Sequence, residues 1–286
     1  MLKVKWFIED GAWDYQDELL QALNKVRFEL IDFEFVKYVP FLSTVELGWV
    51  SDGSHAIVLH GSLNLAKHVL RESTYIPGVL GDPRTFKCSK YYPYFGDLLL
   101  NSRYWMLPLG ELARNKSRIF SMNGDSHALV FFRPDSGMKP FTGQVVAWRE
   151  FGNFIQDCIE FKQVDPTEMV LISTPYKLSS EARFIVVDGK VIAGSYYRAQ
   201  GKLYSAAIDL QKNSLANYAM DVARDVDYPE RVYVLDVCEL AGTVKPVFNV
   251  IEINSFSCAG WYACDKEAII RSVSQVAMEE YLKEIS

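Results

Sequence analysis

Several things are missing from this chain of 286 residues. No G-x-G-x-x-G occurs, nor a G-x-x-x-x-G-K-[ST], so the two commonest glycine fingerprints for nucleotide phosphates are absent. There is no G-x-S-x-G elbow and no H-E-x-x-H, and only four histidines stand in the chain, at 55, 60, 68 and 127. A side-chain nucleophile or a histidine-ligated metal is therefore not indicated. The five cysteines (Cys88, Cys158, Cys238, Cys258, Cys264) have no C-x-x-C spacing and are odd in number, which argues for free, mostly buried thiols. No apolar run approaches the roughly 18 residues of a membrane span. The opening MLKVKWFIEDG lacks the apolar centre of a signal peptide, so a cytoplasmic protein is expected. Basic residues number 30 against 36 acidic ones, and a net charge of -6 provides no global field for nucleic acid or anionic lipid.

What is present is enough apolar sequence, 49%, for a real core. The first third alternates strand-like runs with helical periodicity: VKWFIE, a helix over DYQDELLQALNKV with Leu19, Leu20, Leu23 and Val26 on one face, IDFEFV, then AIVLHGS leading into LNLAKHVLRE. This predicts an open α/β unit. Residues 81–112, rich in aromatics, Pro and Gly, read as a long connection to a second unit, with the boundary near 110–118. There follow a strand HALVFF, the loop RPDSGMKPFTG and a helix over about 144–160 carrying Val145, Trp148, Phe151 and Ile155. The strand EMVLIST comes next, and then a hairpin ARFIVV-DG-KVIAGSYY whose Asp188-Gly189 pair suits a type I′ turn. A polar loop over 198–212, the amphipathic SLANYAMDVARDV, two strands RVYVLDV and VFNVIEI, and a final helix capped by Asp265 complete the chain.

The last two strands carry the first chemical signal. Strict alternation puts Val250, Glu252 and Asn254 on one face, and Val232, Val234, Asp236 and Cys238 on one face of the preceding strand. Antiparallel pairing then brings Asp236 beside Glu252 and Asn254. Two carboxylates and an amide on one sheet face need a cation, and hard oxygen ligands suit Mg²⁺. The alternative is that these residues cap strand ends or face solvent. The loop after Arg133-Pro134 is the second signal: Gly137, Lys139, Thr142 and Gly143 offer backbone amides and positive charge to a polyphosphate, although an ordinary polar loop has the same composition. His60 either lines a cleft mouth or is structural. The aromatic cluster KYYPYF has only Lys87 and Lys90 beside it, too few for a single-stranded nucleic-acid track.

Read in order, three segments resemble the ATP-grasp superfamily of carboxylate-amine ligases: LVFFRPDSGMKPFTG, then MVLIST with EARFIVVDGKVIAGSYYR, then VYVLDV with VIEINSFSCAG. The resemblance covers about residues 117–275, and is greatest to the phage-enriched branch named for an arginine and two lysines, where RP…KxFTG and E-x-R-F recur. It implies an α/β (α+β) ATP-grasp fold, with a pre-ATP-grasp α/β domain over 1–115 and an ATP-grasp domain over 116–286, divided into a lid-bearing part, 116–180, and a metal-binding part, 181–286. It further implies that Arg133 replaces the usual strand-end lysine, that Lys139 lies in the lid over the phosphates, and that backbone at Ser173 and Thr174 meets adenine with Glu181 nearby. Arg183 would steady the transferring phosphoryl group, Asp236, Glu252 and Asn254 would bind one or two Mg²⁺, and Arg198, Lys202, Tyr197 and Tyr262 would face substrate. The implied reaction joins a small-molecule or peptide carboxylate to an amine through an acyl phosphate, at the expense of ATP. The alternatives are an inactive nucleotide-binding module and a kinase-like phosphotransferase.

Overall fold

The computed structural model describes residues 4–27, 31–39, 44–46, 54–72, 74–121 and 129–286. His127 and the start of HALVFF lie outside them. The first sheet holds β1 (Val4–Glu9), β2 (Ile31–Val39), β3 (Thr44–Glu46), β4 (Ala56–His60) and β5 (Pro77–Gly78) in the order β3-β2-β1-β4-β5. β1 runs parallel to β2 and β4, as does β5 to β4, with only β3 antiparallel. The crossovers are α1 (Gln16–Val26) and α2 (Leu63–Glu72). β1 and β4 are covered on both faces, and their apolar runs are therefore continuous rather than alternating. The buried stripe of α1 is Leu19, Ala22, Leu23 and Val26; Leu20, one residue and 100° further round, is exposed, contrary to the predicted face.

Residues 81–112 are more than a connection. They contain α3 (Cys88–Phe95) and β6 (Tyr104–Pro108). α3 carries an internal Pro93 and buries Tyr91, Tyr92 and Phe95, so the periodicity of a surface helix is missing. β6 joins β7 (Leu129–Pro134), β8 (Gln144–Ala147) and β9 (Met169–Ser173) in an antiparallel sheet of order β6-β9-β7-β8. A further correction falls here. The predicted helix over 144–160 begins as strand β8, where the β-branched pair Val145-Val146 favours extended backbone. After the short helix α4 (Lys116–Ser121), helical structure returns only as α5 (Phe151–Gln156) and a π turn over Asp157–Phe161. Phe120, Phe132, Phe141, Phe151 and Phe154 form the core of this part.

The third sheet contains β10 (Leu178–Val187), β11 (Lys190–Ala199), β12 (Lys202–Ala207), β13 (Val232–Leu240) and β14 (Phe248–Ser255), ordered β12-β11-β10-β13-β14 and antiparallel throughout. Asp188 (φ 47°) and Gly189 (φ 71°) both take positive φ, as a type I′ hairpin demands. The predicted polar loop over 198–212 contains β12, an edge strand exposed on both sides and so without an alternating pattern. One face of the sheet packs Ala182, Phe184, Val186, Tyr233, Leu235 and Val237 against α6 (Ser214–Asp225). The other packs Ile185, Val187, Val232 and Val234 against α7 (Lys266–Ile285), whose Ile269, Ile270 and Val273 belong to the same core as Trp6, Leu19 and Leu23. Trp6 Nε1 donates to Ser274 Oγ at 2.9 Å within that core. Asp265 caps α7 by accepting Ala268 N–H at 3.0 Å. Among the described residues no helix is long and apolar enough to cross a membrane.

Gly194 pairs with Phe184 across β10 and β11, and a Cβ there would meet the Phe184 ring at 2.6 Å. Gly194→Ala should therefore cost roughly 1–3 kcal/mol through overpacking. It should lower the urea midpoint, since Phe184 belongs to the core packed against α6.

Candidate active site

On the α7 face of the third sheet the side chains change character along the strands. In β10, Val187 and Ile185 are followed at the same spacing by Arg183 and Glu181; in β13, Val232 and Val234 are followed by Asp236. The registers Arg183↔Asp236 and Asp236↔Glu252 put the three charged residues in a row across β10, β13 and β14. Strict alternation fails on β14. Asp236 pairs with Glu252 but Val237 with Val250, leaving Ile251 as an extra residue. This bulge turns Ile251 and Glu252 together into the cleft and sends Val250 into the α6 core beside Ile253, correcting the predicted face. A second bulge makes Tyr197 the extra residue opposite Glu181 and Ala182, so that Tyr197 and Arg198 also line the cleft together.

The cleft, about 640 Å³, lies between the second and third sheets. Its lining includes Arg133, Lys139, Thr142, Gly143, Thr174, Glu181, Arg183, Tyr197, Arg198, Asp236 and Glu252. Four of these carry positive charge and three negative, an excess that favours an anion. Arg183 is bidentate to Asp236, Nε to Oδ1 at 2.8 Å and Nη2 to Oδ2 at 2.7 Å, and its Nη1 donates to the Gly260 carbonyl at 2.9 Å. Glu252 receives Arg133 on Oε2 at 2.5 Å and Lys139 on Oε1 at 2.9 Å. Asn254 Nδ2 donates to Asp236 Oδ2 at 3.2 Å and to Glu252 Oε1 at 3.0 Å. Burial opposes ionisation of Glu252, but Lys139 and Arg133 outweigh it and hold the carboxyl well below its usual range. Burial raises Glu181 despite the hydroxyl of Tyr197 at 3.0 Å and Arg198 at 3.4 Å.

The predicted phosphate loop is built differently from expectation. Its backbone runs into β8, so the loop leads into a strand and not into a helix N-terminus. Gly137 lies against residues 83–86, where a Cβ would stand 2.3 Å from the Pro83 carbonyl oxygen. Lys139, Thr142 and Gly143 do face the cleft. Ser173 is paired on both sides, with Tyr104 and Phe131, and its buried Oγ has no hydrogen-bond partner; the cleft lining begins at Thr174 and continues through Pro175 and Tyr176. Tyr262 stacks on Tyr197 at 5.3 Å, with Arg183 5.2 Å from its ring, whereas Lys202 on β12 is not part of the lining. Asn101, Ile251 and Tyr176 line the cleft without any sequence signal; only the bulge exposes Ile251, and a bulge has no residue signature here.

Oxygen chemistry at the centre of this row suits a hard divalent ion. Two carboxylates lie within hydrogen-bond reach of one amide, and no softer donor intervenes. Among the described residues no group of three or more His, Cys, Asp or Glu side chains gathers for a metal, so an ion here needs ligands from outside the protein. Asn254 turns its nitrogen, not its oxygen, to the carboxylates, since two anions attract an N–H; a half-turn of the amide presents the oxygen.

Asp236→Asn leaves a buried guanidinium half paired and should cost about 3 kcal/mol in chemical denaturation. Lys139→Ala, at a partly exposed pair, should stay within about 1 kcal/mol. Because Glu252 has a lowered folded-state pKa, its stabilisation is present above the ordinary value of 4.5 and is lost on acidification. The acid limb of a stability profile should accordingly be shallower in Glu252→Gln.

A search among curated proteins found no match. Among solved structures, the chain is similar to the D-alanine–D-alanine ligase from Coxiella burnetii, with a TM-score of 0.62 at 10% identity over 99% of this chain and 96% of that one. It is also similar to D-cycloserine synthetase DcsG, with 0.61 at 13% over 96% and 99%. A third is the ATP-grasp ligase PsnB complexed with a phosphomimetic variant of a minimal precursor, Mg and ADP, with 0.52 at 14% over 96% and 99%. At such identities the likeness shows the ATP-grasp fold alone. The family model for an ATP-grasp domain, family 3 of the clade named for an arginine and two lysines, matches residues 46–273, and the chain belongs to that family.

Proposed function

We propose that this protein is an ATP- and Mg²⁺-dependent ligase that joins a carboxylate, on a small molecule or peptide, to an amine through an acyl phosphate. The observation that supports this best is the convergence of Arg133, Lys139 and Arg183 on the carboxylates of Asp236 and Glu252 at one end of the cleft. Carboxylate activation needs charge handling and positioning more than a protein nucleophile. In this reading the first sheet belongs to a pre-ATP-grasp unit ending near residue 115, with β6 reaching from it into the lid-bearing part (116–180); residues 181–286 are the metal-binding part.

The adenine lies along Thr174–Tyr176, with Ser173 behind it and Glu181 towards the ribose, and the phosphates point to Arg133, Lys139 and Arg183. Asp236, Glu252 and Asn254 would hold Mg²⁺, which when bound would supply charge neutralisation for the phosphoryl oxygens. Arg133 and Lys139 occupy Glu252 in the structure. They turn from it to phosphate as nucleotide enters, freeing its oxygens. Arg133 offers a planar bidentate donor where a lysine would offer a point charge. One oxygen of the substrate carboxylate attacks the γ-phosphorus and the bond to ADP breaks; the amine nitrogen then attacks the acyl carbon, phosphate leaves, and the ammonium proton goes to solvent. Tyr197 and Arg198 line the acceptor end, with Tyr262 stacked behind Tyr197, and Lys202 stands further out on β12.

Glu252→Gln retains strand geometry and removes one charge. It should abolish Mg²⁺-dependent, amine-dependent ADP release while the circular dichroism spectrum is preserved; full activity in this variant overturns the site assignment. Lys139→Ala should reduce kcat by at least tenfold with less than threefold loss of nucleotide affinity, because a lid cation acts chiefly on the transition state. Incubation with ATP, Mg²⁺, amino-acid pools and hydroxylamine should yield a hydroxamate. Its absence, together with phosphorylation of another group, would favour phosphotransfer.

A further inference from the structure

One peptide group beside the cleft residue Arg183 is held from both ends. The carbonyl of Gly260 accepts Arg183 Nη1 at 2.9 Å, and the N–H of the same peptide, on Trp261, donates to the hydroxyl of Tyr15 at 2.9 Å. Tyr15 comes from the N-terminal unit, immediately before α1. Its hydroxyl lies 3.0 Å from His60 Nε2, at the end of β4. His60 is fully buried, and burial depresses its pKa to about 3, so it is a neutral ring whose Nε2 pairs with the Tyr15 hydroxyl. The Tyr15 oxygen is thus held on one side by Trp261 N–H and on the other by the ring nitrogen of His60.

The rings lock these groups in place. His60 is sandwiched between Trp13 at 4.9 Å and Trp261 at 4.0 Å, both nearly parallel to it. Just beyond, Tyr262 adopts φ 49°, a left-handed conformation unfavourable for a bulky residue, and its carbonyl is tied by Lys266 Nζ at 2.6 Å. The other two nitrogens that Arg183 commits go to Asp236. A continuous path therefore runs from β4 through His60, Tyr15 and the 260–261 peptide to the guanidinium and its carboxylate.

We infer that Tyr15, oriented by His60, is a positioning residue for the phosphoryl site: it fixes the 260–261 peptide, which aims Arg183. The proposal rests on the ligase reading for its kinetic arm only. Tyr15→Phe in the full chain keeps the ring stack and removes the hydroxyl. It should lower kcat for amine-dependent ADP release about tenfold while the nucleotide Kd changes less than twofold. In an Arg183→Lys background the same substitution should have no further effect, because both act through one group. A second readout needs no reaction: in ligand-free protein the Arg183 Nε–H should exchange with solvent several-fold faster in Tyr15→Phe by NMR. His60→Asn, which removes Nε2 and keeps Tyr15, should move both readouts in the same direction and serves if Tyr15→Phe does not fold. Unchanged Nε–H exchange in a folded variant, or an equal fall of kcat in both backgrounds, overturns the inference. Absence of amine-dependent ADP release from the wild type would instead count against the ligase reading, with the exchange measurement still deciding the role of Tyr15.

Discussion

Everything at the cleft follows from two carboxylates placed within reach of one amide. Asp236 is almost fully buried and Glu252 nearly so, and neither charge survives there without counter-charge. The chain supplies it from three segments: Arg183 on β10, Arg133 at the end of β7, and Lys139 on the loop beyond. Removing charges of this kind in favour of apolar residues is often neutral or stabilising, so stability alone is a poor reason for the cluster. A site that exchanges internal cations for an incoming anion is a better one. Of the two cations on Glu252, Arg133 comes from the second sheet and Lys139 from the loop beyond it, so the charge balance of Glu252 depends on how the second sheet sits over the third.

Backbone irregularity, rather than unusual composition, makes the row of charges usable. A regular sheet sends every second residue away from the cleft. The bulges at Ile251 and Tyr197 present two consecutive side chains at each place, an apolar or aromatic one with a charged one, flanking the Arg183–Asp236 pair. A third irregularity, opposite Ile185 and Val186, makes Ile192 the extra residue on β11 and turns it together with Ala193 to the apolar core shared with α7.

Much of this was legible in the sequence. The pairing of Asp236 with Glu252 followed from alternation and a short connection, and Asp188-Gly189 and Asp265 fixed a turn and a helix start through local chemistry that needs no tertiary context. Elements stabilised by neighbours were harder to read. α3 is buried on several sides and contains Pro93, β12 is exposed on both sides, and β8 starts a segment whose apolar spacing also suits a helix. The predicted face of Val250 failed for a related reason: the bulge that moves it depends on the partner strand, and periodicity in a single strand contains no record of its partner. Gly137 illustrates the limit in another way. A glycine in a cationic loop suggested an open backbone for phosphate, while its actual requirement is close approach to the carbonyls of residues 83–86.

The first sheet and α1 share a core with the sheet that bears the charges. Trp6, Leu19 and Leu23 pack with Val232, Val234 and α7, so first sheet and third sheet cannot shift independently without opening that core. That rigidity makes a positioning role for Tyr15 and His60 physically reasonable. A hydrogen bond from a loosely docked domain would add another soft joint to Arg183, whereas one anchored in a common close-packed interior transmits a fixed direction. The aromatic stack of Trp13, His60 and Trp261 lies over this junction, where large rings with few rotatable bonds hold geometry at low entropic cost. The guanidinium is thus oriented from two sides, by a carboxylate on its own sheet and by a peptide fixed from the neighbouring one.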